Sequence, residues 1–516
     1  MLDTDLNEQL IQVFKVLENS IDLIYSESKH KNQSELVTML EDLSATCQKI
    51  AVKSSGIFSE APSFRINHNG KETGISFLGI PGGHEFTSLI LAILNSDGKG
   101  KMPDGGIAKR IENLNGPVRI RTYISLTCEN CPDVVQALNQ MALIHSNFQH
   151  EMVDGGYAPL EVESLGIQGV PSLIVDSKMI HSGRIHFLDL LTKLEEYFGS
   201  SDKKLSEVEQ SLGHFDVAVL GGGPAGVSAA IYSARKGLKT ALIAERMGGQ
   251  VQDTKGIENL ISVIYTEGPQ LAEQMYKHIS SYPVNIFEQR RVKMVTKEKN
   301  ILLDGGESLS ADAIIIATGA KWRELGVPGE KEYLGRGVAY CPHCDGPFYK
   351  GKKLAVIGGG NSGVEAAIDL AGIAAGVVLL EFAETLKADK VLVDKLNSLS
   401  NTSVVTNARS KQLVGDGAKI VALNYEDRKT EVAKSLPLDG VFVQIGLLPN
   451  SAFVKETVAL SKFGEIVVDA KGRTNVPGIY AAGDVTTTPF KQIVIAMGEG
   501  AKVALAVFED RIYGNI

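Results

Sequence analysis

The chain has 516 residues, a formal net charge of −9 and an apolar content that is ordinary for globular proteins. Its length predicts about three to four domains. The acidic balance argues against a general binder of nucleic acid or anionic membranes. The N-terminus lacks the apolar core of a signal peptide, and no long uncharged apolar run occurs, so we expect a cytoplasmic protein without a transmembrane helix.

Cysteine is rare, and four of the five cysteines form two C-x-x-C pairs. The pairs are Cys128 with Cys131 and Cys341 with Cys344, while Cys47 stands apart. In a cytoplasmic protein this spacing indicates redox or metal chemistry rather than a structural disulfide framework. A zinc site at the first pair needs two further ligands, and no neighbouring His or Cys has a suitable spacing. We therefore predict redox-active pairs and no metal.

The first hundred residues predict a small unit of helices and a hairpin. Apolar residues at helical spacing predict one amphipathic helix over residues 1–30 and a second helix over 36–47. The alternating segments 64–68 and 74–77 predict two strands joined by an Asn-Gly turn. An apolar run at 86–94 predicts a closing helix, which a polar break follows.

The next hundred residues carry the first cysteine pair between clearer signals. A strand is predicted at 118–124, and we expect Cys128 at the start of the helix that follows. The positive end of a helix favours a thiolate, so Cys128 is expected to be the reactive thiol and Cys131 the buried resolving thiol. The step Val170-Pro171 then leads into another strand.

This order of a strand, a C-x-x-C pair at a helix start and an apolar-proline step resembles the thioredoxin fold. The resemblance implies a cis peptide bond before Pro171, beside the cysteines. The first unit has a similar order of elements without a cysteine pair, so it resembles a degenerate thioredoxin fold. The polar stretch that begins at Phe198 is interpreted as a linker.

Two glycine-rich loops follow, and each lies between a buried strand run and a helix. Glycines at this spacing suit a tight turn, close approach of a pyrophosphate and packing of helix on strand. The strand after each loop ends in a carboxylate suited to a ribose hydroxyl, Glu245 or Glu381. Two such sites predict a flavin and a nicotinamide. The loop glycines are Gly221, Gly223 and Gly226 in the first loop and Gly358, Gly360 and Gly363 in the second.

Two further segments decide which loop takes which cofactor. One strand ends in Thr318-Gly319, and Gly483-Asp484 lies near the C-terminus. Both resemble later signatures of the FAD domain in flavoprotein reductases with two dinucleotide sites, where the residue matching Asp484 approaches the ribityl chain. The resemblance implies that the second loop belongs to a domain inserted into the FAD domain and takes the nicotinamide.

Residues 213–516 resemble low-molecular-weight thioredoxin reductases, because a C-x-x-C-D motif ending at Asp345 lies in the inserted domain. With the N-terminal units added, the whole chain resembles NADH-dependent peroxiredoxin reductases. The resemblance implies bound FAD, NADH as reductant, a peroxiredoxin partner and a homodimer to which the C-terminal helix contributes. It also implies flavin-site residues in three further matching segments, at Gln250, Asn259, Lys491 and Gln492.

The implied fold class is α/β, with a tandem of two thioredoxin-like folds ahead of an FAD domain that contains an inserted NADH domain. In chain order the parts are a degenerate thioredoxin-like unit, a redox-active thioredoxin-like unit, a linker, the first FAD segment, the NADH domain and the second FAD segment. Their expected bounds are 1–98, 99–197, 198–212, 213–327, 328–447 and 448–516.

One departure from thioredoxin reductases bears on the choice of nicotinamide. Those proteins carry a His-Arg-Arg run that binds the 2′-phosphate of NADPH, and this chain has Glu381-Phe382-Ala383 at the corresponding place. A carboxylate accepts from a free 2′-hydroxyl and repels a 2′-phosphate. The difference favours NADH over NADPH.

The resemblance implies an order of electron transfer from NADH to FAD, to Cys341 and Cys344, to Cys128 and Cys131, and finally to a peroxiredoxin that reduces hydrogen peroxide and alkyl hydroperoxides. Cys344 is then the flavin-proximal sulfur and Cys341 the interchange thiol. Asp345 either relays a proton or caps the following turn. His343 either tunes the cysteine pKa values or is simply solvated.

The inserted domain is implied to rotate, because one cysteine pair cannot face the flavin and the N-terminal pair at once. The expected pivots are the crossings near 326–329 and 446–449, both of which contain glycine and proline. Other functions stay open at this stage. They are a general thioredoxin reductase-like disulfide reductase, an NADH oxidase and a non-catalytic redox sensor.

Overall fold

A computed structural model describes residues 4–128, 130–167, 169–201, 210–254 and 256–516. The chain divides into two compact units, Met1–Glu209 and Gln210–Ile516. Most of the expected linker at 198–212 lies outside the described residues. No helix in the described ranges is both long enough and apolar enough to cross a lipid bilayer.

The N-terminal unit is one mixed sheet with helices packed on it. Its strands are β1 Ile21–Glu27, β2 Ile50–Phe58, β3 Ser63–His68, β4 Lys71–Leu78, β5 Val118–Ile124, β6 Phe148–Asp154, β7 Ser172–Val175 and β8 Lys178–Ser182. Its helices are α1 Thr4–Phe14, α2 Gln33–Thr46, α3 Glu85–Ser96, α4 Gly105–Glu112, α5 Cys131–Ile144, α6 Pro159–Ser164 and α7 Phe187–Phe198.

The two thioredoxin-like halves share this sheet, whose order is β2-β1-β3-β4-β6-β5-β7-β8. The halves meet where β4 pairs in parallel with β6, with Ile75 opposite His150 and Leu78 opposite Val153. One apolar core, which includes the fully buried Leu138, extends through both halves. The halves are therefore joined by backbone hydrogen bonds as well as by apolar packing.

The prediction of one helix over residues 1–30 is wrong. Helix α1 ends at Phe14, and β1 begins at Ile21 and pairs with both β2 and β3. In β1 the side chains of Ile21 and Leu23 are fully buried. The helical spacing of α1 continues by chance into this strand, whose alternation is too short to be distinguished by pattern. The predicted second helix, the hairpin and the closing helix are confirmed as α2, β3 with β4, and α3.

The C-terminal unit contains two larger sheets that are mainly parallel around the glycine loops, with two smaller antiparallel sheets. Its strands are β9 Gln210–Leu220, β10 Thr240–Ile243, β11 Val284–Phe287, β12 Val292–Val295, β13 Asn300–Leu303, β14 Glu307–Ile316, β15 Ala320–Trp322, β16 Val338–Ala339, β17 Lys353–Ile357, β18 Gly376–Leu380, β19 Thr402–Val405, β20 Ala408–Gly415, β21 Ile420–Asp427, β22 Ala433–Pro437, β23 Gly440–Val443, β24 Leu447–Pro449 and β25 Ile479–Ala481. Its helices are α8 Pro224–Arg235, α9 Gly268–Ser280, α10 Pro342–Asp345, α11 Asn361–Ala371, α12 Lys390–Asn397 and α13 Ile493–Ile512.

The first sheet has the order β11-β10-β9-β14-β13-β12, and β25 also pairs with β14. The second has the order β16-β23-β17-β18-β19, and β20, β21 and β22 form a separate antiparallel sheet. Strand β9 leads into α8, and β17 leads into α11. Each glycine loop therefore lies between a parallel strand and a helix, which is the context that a dinucleotide site requires.

The two crossings between the sheets are hydrogen-bonded to each other. Strand β15 pairs antiparallel with β24, with Trp322 opposite Leu447. Before this pairing, the hydroxyl of Thr318 donates to the carbonyl of Asn450 at 2.7 Å, and the amide side chain of Asn450 donates to the carbonyl of Thr318 at 2.8 Å. The chain thus leaves the first sheet through β15 and returns to it through β24, and these two paired strands form a ribbon.

Candidate redox and nucleotide sites

The N-terminal cysteine pair lies beside a cis proline. Cys128 and Cys131 form a disulfide; Cys131 is fully buried and Cys128 half-buried. The bond between Val170 and Pro171 is cis, as the resemblance to thioredoxin implied. The carbonyl oxygen of Val170 lies 3.9 Å from the sulfur of Cys128. The difference in burial makes Cys128 the sulfur that is more accessible to a partner.

The expectation that Cys128 starts a helix is wrong. Helix α5 begins at Cys131, with Pro132 in its first turn. The backbone amide of Cys128 instead donates to the carbonyl of Ser125 in a preceding turn. Proline favours the first turn of a helix because it lacks an N–H that would be unpaired there. The positive end of α5 therefore lies at Cys131, and Cys128 precedes it.

A buried carboxyl group lies close to α5, the helix that begins at Cys131. Glu85, the first residue of α3, is fully buried. Burial raises the pKa of Glu85 to about 7, and the nearby charge of Asp133 in α5 adds to the rise. Near neutral pH this carboxyl group is therefore partly protonated.

The second cysteine pair lies at the short helix α10, directly after β16. Cys341 is disulfide-bonded, and its carbonyl accepts from the amide of Asp345 at 2.9 Å. Burial raises the pKa of Asp345 to about 6. The side chains of His343 and Cys344 lie outside the described part of the structure.

Tyr340, next to Cys341, joins this segment to the crossings. Its hydroxyl donates to Glu330 at 2.8 Å, and its carbonyl accepts from the side chain of Gln444 at 2.6 Å. Glu330 is 2 % exposed and also accepts from the amides of Leu325 and Gly326, both at 2.7 Å. An acidic residue in a loop carries no motif, so sequence reasoning missed Glu330.

The first glycine loop is a narrow turn with an open centre. Gly221 has φ +122°, and a Cβ added there would lie 2.1 Å from the carbonyl oxygen of Ala317. A Cβ on Gly226 would lie 1.8 Å from the carbonyl oxygen of Gly221. At Gly223, by contrast, an added Cβ meets no heavy atom within 4 Å. The loop packs tightly at both ends and leaves room for a ligand between them.

The second loop repeats this pattern. A Cβ on Gly358 would lie 2.3 Å from the carbonyl oxygen of Gln444, and one on Gly363 would lie 1.8 Å from that of Gly358. Gly360 again has no heavy atom within 4 Å of an added Cβ. Two loops with the same contacts support two dinucleotide sites of the same kind.

The carboxylates at the strand ends have different surroundings. Glu245 is exposed and forms an ion pair with Arg291 at 2.7 Å. Glu381 accepts from the amide of Gly359, inside the second loop, at 2.5 Å and from the amide of Ala383 at 2.7 Å. A carboxylate has about four acceptor positions, so both groups retain capacity for a ribose hydroxyl.

The residues expected around the flavin come from distant parts of the chain. The side-chain amide of Asn259 donates to Gln492, immediately before α13, at 3.1 Å. Lys491 donates to the carbonyls of Thr486 and Thr488. Gln250 is exposed in the 3-10 turn Gly249–Asp253. Among the described hydrogen bonds, none joins its side chain to this group.

The C-terminal signature packs against the first loop. A Cβ on Gly483 would lie 2.9 Å from the Cβ of Ala225, and the amide of Gly483 donates to Glu499 of α13 at 2.8 Å. Burial raises the pKa of Asp484, Lys491 opposes this, and Glu499 adds to it. Gly319, with φ +68°, follows Thr318 at the end of the adjacent strand. The C-terminal signature and the end of β14 thus both pack against the first glycine loop, at Ala225 and at Gly221.

Comparison with known proteins settles the family. A family model described as pyridine nucleotide-disulphide oxidoreductase matches residues 215–500, and a thioredoxin domain model matches 118–196. The F subunit of alkyl hydroperoxide reductase from Pseudomonas aeruginosa is 48% identical over 99% of both chains. This chain belongs to the family of alkyl hydroperoxide reductase F subunits. Members of that family from Pseudomonas putida and Staphylococcus aureus match at 48% and 45% identity.

Other comparisons agree with placement in this family. A Bacillus subtilis protein named NADH dehydrogenase is 45% identical, over 99% of both chains. The crystal structure of thioredoxin reductase from Streptococcus pyogenes covers 58% of this chain and 99% of its own, at 35% identity and a TM-score of 0.55. The predicted fold class is confirmed, and the chain is a disulfide oxidoreductase that uses a flavin and a pyridine nucleotide. No three His, Cys, Asp or Glu side chains within the described ranges are placed to hold a metal ion.

Two glycines of the first loop allow the effect of packing on stability to be separated from the effect of space for a ligand. Gly226→Ala is expected to lower the free energy of unfolding by about 1–3 kcal/mol, because its methyl group collides with the backbone at Gly221. Gly223→Ala adds the same methyl group in open space, so we expect unchanged stability but weaker flavin binding. Thermal unfolding of the flavin-free proteins and flavin titration measure the two effects. Equal stability of the two variants would contradict the packing described here.

Asp345 is expected to give the second pair a pH dependence. Its carboxyl group is mostly protonated below about pH 6 and ionised above it, so the reaction of the reduced pair with a chromogenic disulfide should show an inflection near pH 6. Asp345→Asn should remove the inflection. The raised pKa means that ionisation is disfavoured in the folded protein, so Asp345→Asn should also raise the melting temperature at pH 8 but not at pH 4. The kinetics are measured in a Cys128→Ser, Cys131→Ser background, and an inflection that survives Asp345→Asn excludes this role.

Proposed function

We propose that this chain is an NADH-dependent peroxiredoxin reductase. Electrons pass from NADH through FAD to Cys341 and Cys344, then to Cys128 and Cys131, and then to a peroxiredoxin of the type that forms the C subunit of alkyl hydroperoxide reductase. That partner reduces hydrogen peroxide and alkyl hydroperoxides. One observation carries the proposal, namely that three features occur in one chain. They are two glycine loops of the dinucleotide-binding kind, a cysteine pair shortly before the second of these loops, and a disulfide beside a cis proline.

The two cofactors are assigned to the two loops by their surroundings. The first loop would hold FAD together with Glu245 and Asp484, since the C-terminal signature packs against that loop. The second loop would hold NADH, with Glu381 accepting from the 2′-hydroxyl of its adenosine ribose. When bound, FAD supplies the two-electron chemistry that connects a nicotinamide to a disulfide.

The step between the cysteine pairs is a thiol–disulfide exchange. The thiolate of Cys341 attacks Cys128, forms a mixed disulfide and releases the thiolate of Cys131, which takes up a proton. Cys344 then attacks Cys341, so the Cys341–Cys344 disulfide forms and Cys128 is released as a thiol. Two electrons and two protons move in the whole step, and the buried carboxyl group of Asp345 is suited to accept or supply one of the protons.

The reduced N-terminal pair would act on the peroxiredoxin by the same chemistry. Cys128 is the more exposed sulfur and would attack the partner's disulfide, after which Cys131 resolves the mixed disulfide. A cavity of about 410 Å³ borders the end of β5 and the loop before the cis proline, with Ser125, Gly169 and Val170 in its lining.

Cys128→Ser tests the relay. We expect loss of peroxide-dependent NADH consumption in the presence of the peroxiredoxin, because the variant cannot accept electrons from Cys341. Reduction of a small chromogenic disulfide by the second pair should persist. Cys47→Ser is the matched control and should retain full turnover. If Cys128→Ser keeps full peroxide-dependent turnover, the relay is wrong, and a general disulfide reductase acting through Cys341 is favoured. NADH consumption that needs no peroxiredoxin favours an NADH oxidase.

The choice of NADH has a separate test. Replacing Glu381-Phe382-Ala383 by His-Arg-Arg should lower the preference for NADH over NADPH by at least about tenfold, because positive side chains then face the 2′-phosphate. The ratio of kcat/KM for the two nucleotides is the measurement, and flavin content is the control for folding. An unchanged ratio would show that this segment does not select the nucleotide.

A further inference from the structure

The loop after β18 carries a large aromatic side chain at the surface. Phe382 follows Glu381 and is 52% exposed. Its neighbour Glu381 accepts from the amide of Gly359, so this segment borders the second glycine loop. In a dinucleotide site the carboxylate at this position marks the adenosine ribose. Phe382 therefore lies at the adenosine end of the site.

An arginine from another sheet covers this ring. The guanidinium carbon of Arg428 lies 3.8 Å from the ring centroid of Phe382. The same guanidinium donates to the carbonyl oxygen of Phe382 at 2.8 Å. The two contacts fix the planar group against the ring, while the Arg428 side chain as a whole remains exposed. The guanidinium group of Arg428 is thus held at the surface by Phe382, without a bound ligand.

The backbone holds Arg428 in this place. Arg428 follows β21 at the tip of the hairpin with β22, and its amide donates to the carbonyl of Asn407 at 2.8 Å. The amide of Asn407 in turn donates to the carbonyl of Ala383 at 2.9 Å. Lys429, the next residue, forms an ion pair with Glu384. The hairpin tip is therefore bonded to the whole segment that follows Glu381.

We propose that Arg428, held on Phe382, receives the adenine base of the nicotinamide nucleotide by stacking, while Glu381 binds the adjacent ribose. The inference rests on the proposed use of NADH at the second loop. A guanidinium plane stacks on the face of a purine, and one side of this plane is already supported by an aromatic ring.

Arg409 provides a matched control on the same ring. Its guanidinium carbon lies 5.8 Å from the ring centroid of Phe382, and its side chain is paired with Glu426 at 3.4 Å. It has the same charge as Arg428 and lies near the same ring, but 2.0 Å further from its centroid (5.8 Å against 3.8 Å). If positive charge alone matters, substitution of either arginine should weaken nucleotide binding. If stacking matters, only substitution of Arg428 should weaken it.

The test is the affinity of the FAD-loaded full-length protein for two halves of the nucleotide, measured by calorimetry. ADP-ribose contains the adenosine end, and nicotinamide mononucleotide lacks it. Arg428→Gln and Arg428→Lys should each weaken ADP-ribose binding at least about fivefold, since stacking on a planar group is lost in both. Arg409→Gln should stay within about twofold of the wild type. Binding of nicotinamide mononucleotide should be the same in all four proteins.

A second variant protects the test against misfolding. Phe382→Leu leaves Arg428 in the chain but removes its support, and it should also weaken ADP-ribose binding while flavin content and melting temperature stay unchanged. Wild-type affinity for ADP-ribose in Arg428→Lys, or an equal loss in Arg409→Gln, overturns the stacking role. If the wild type binds ADP-ribose and all variants equal it, this inference fails alone. If the wild type binds neither ADP-ribose nor NADH, the proposed function fails with it.

Discussion

The pairing of the two crossings is the constraint on which the C-terminal unit depends. Strand β15 and strand β24 bond to each other, and Thr318 and Asn450 exchange hydrogen bonds just beyond them. Tyr340 then ties Cys341 to this ribbon, through Glu330 and by ring stacking on Trp322 at 6.1 Å. The segment that carries Cys341 is therefore attached to the two crossings that connect the sheets of this unit. A change in the ribbon has a direct route to the cysteine, since each link is a hydrogen bond or a ring contact.

Features that depend on short stretches of chain were accessible from the sequence. The glycine loops were found because each needs glycine for a contact within its own strand–loop–helix unit, as at Gly226 and Gly363. The cis bond at Pro171 was implied by the resemblance to the thioredoxin fold, which the order of neighbouring elements had indicated. The predicted start of α5 was three residues too early, because a C-x-x-C motif does not show which of its cysteines begins the helix. The proline that favours a start at Cys131 follows the motif and lies in the first turn of the helix.

Features that depend on distant segments could not be read in the same way. Glu330 and Arg428 carry no motif, and their partners follow only from the folded backbone, with Arg428 reaching the carbonyl of Phe382 from a different sheet. The strand β1 was hidden by a helical pattern that belongs to α1. The pairing of β4 with β6 was also invisible, since each half of the N-terminal unit carries a complete set of elements by pattern alone.

The pairing of β4 with β6 gives the degenerate half a structural role that is separate from electron transfer. A thioredoxin-like half on its own leaves an outer strand with unsatisfied backbone groups, which is a template for aggregation. In this sheet the outer strand β6 of the redox half is covered along Ile75 to Leu78 by the outer strand β4 of the other half. The half without a cysteine pair therefore protects the edge strand of the half that carries Cys128 and Cys131.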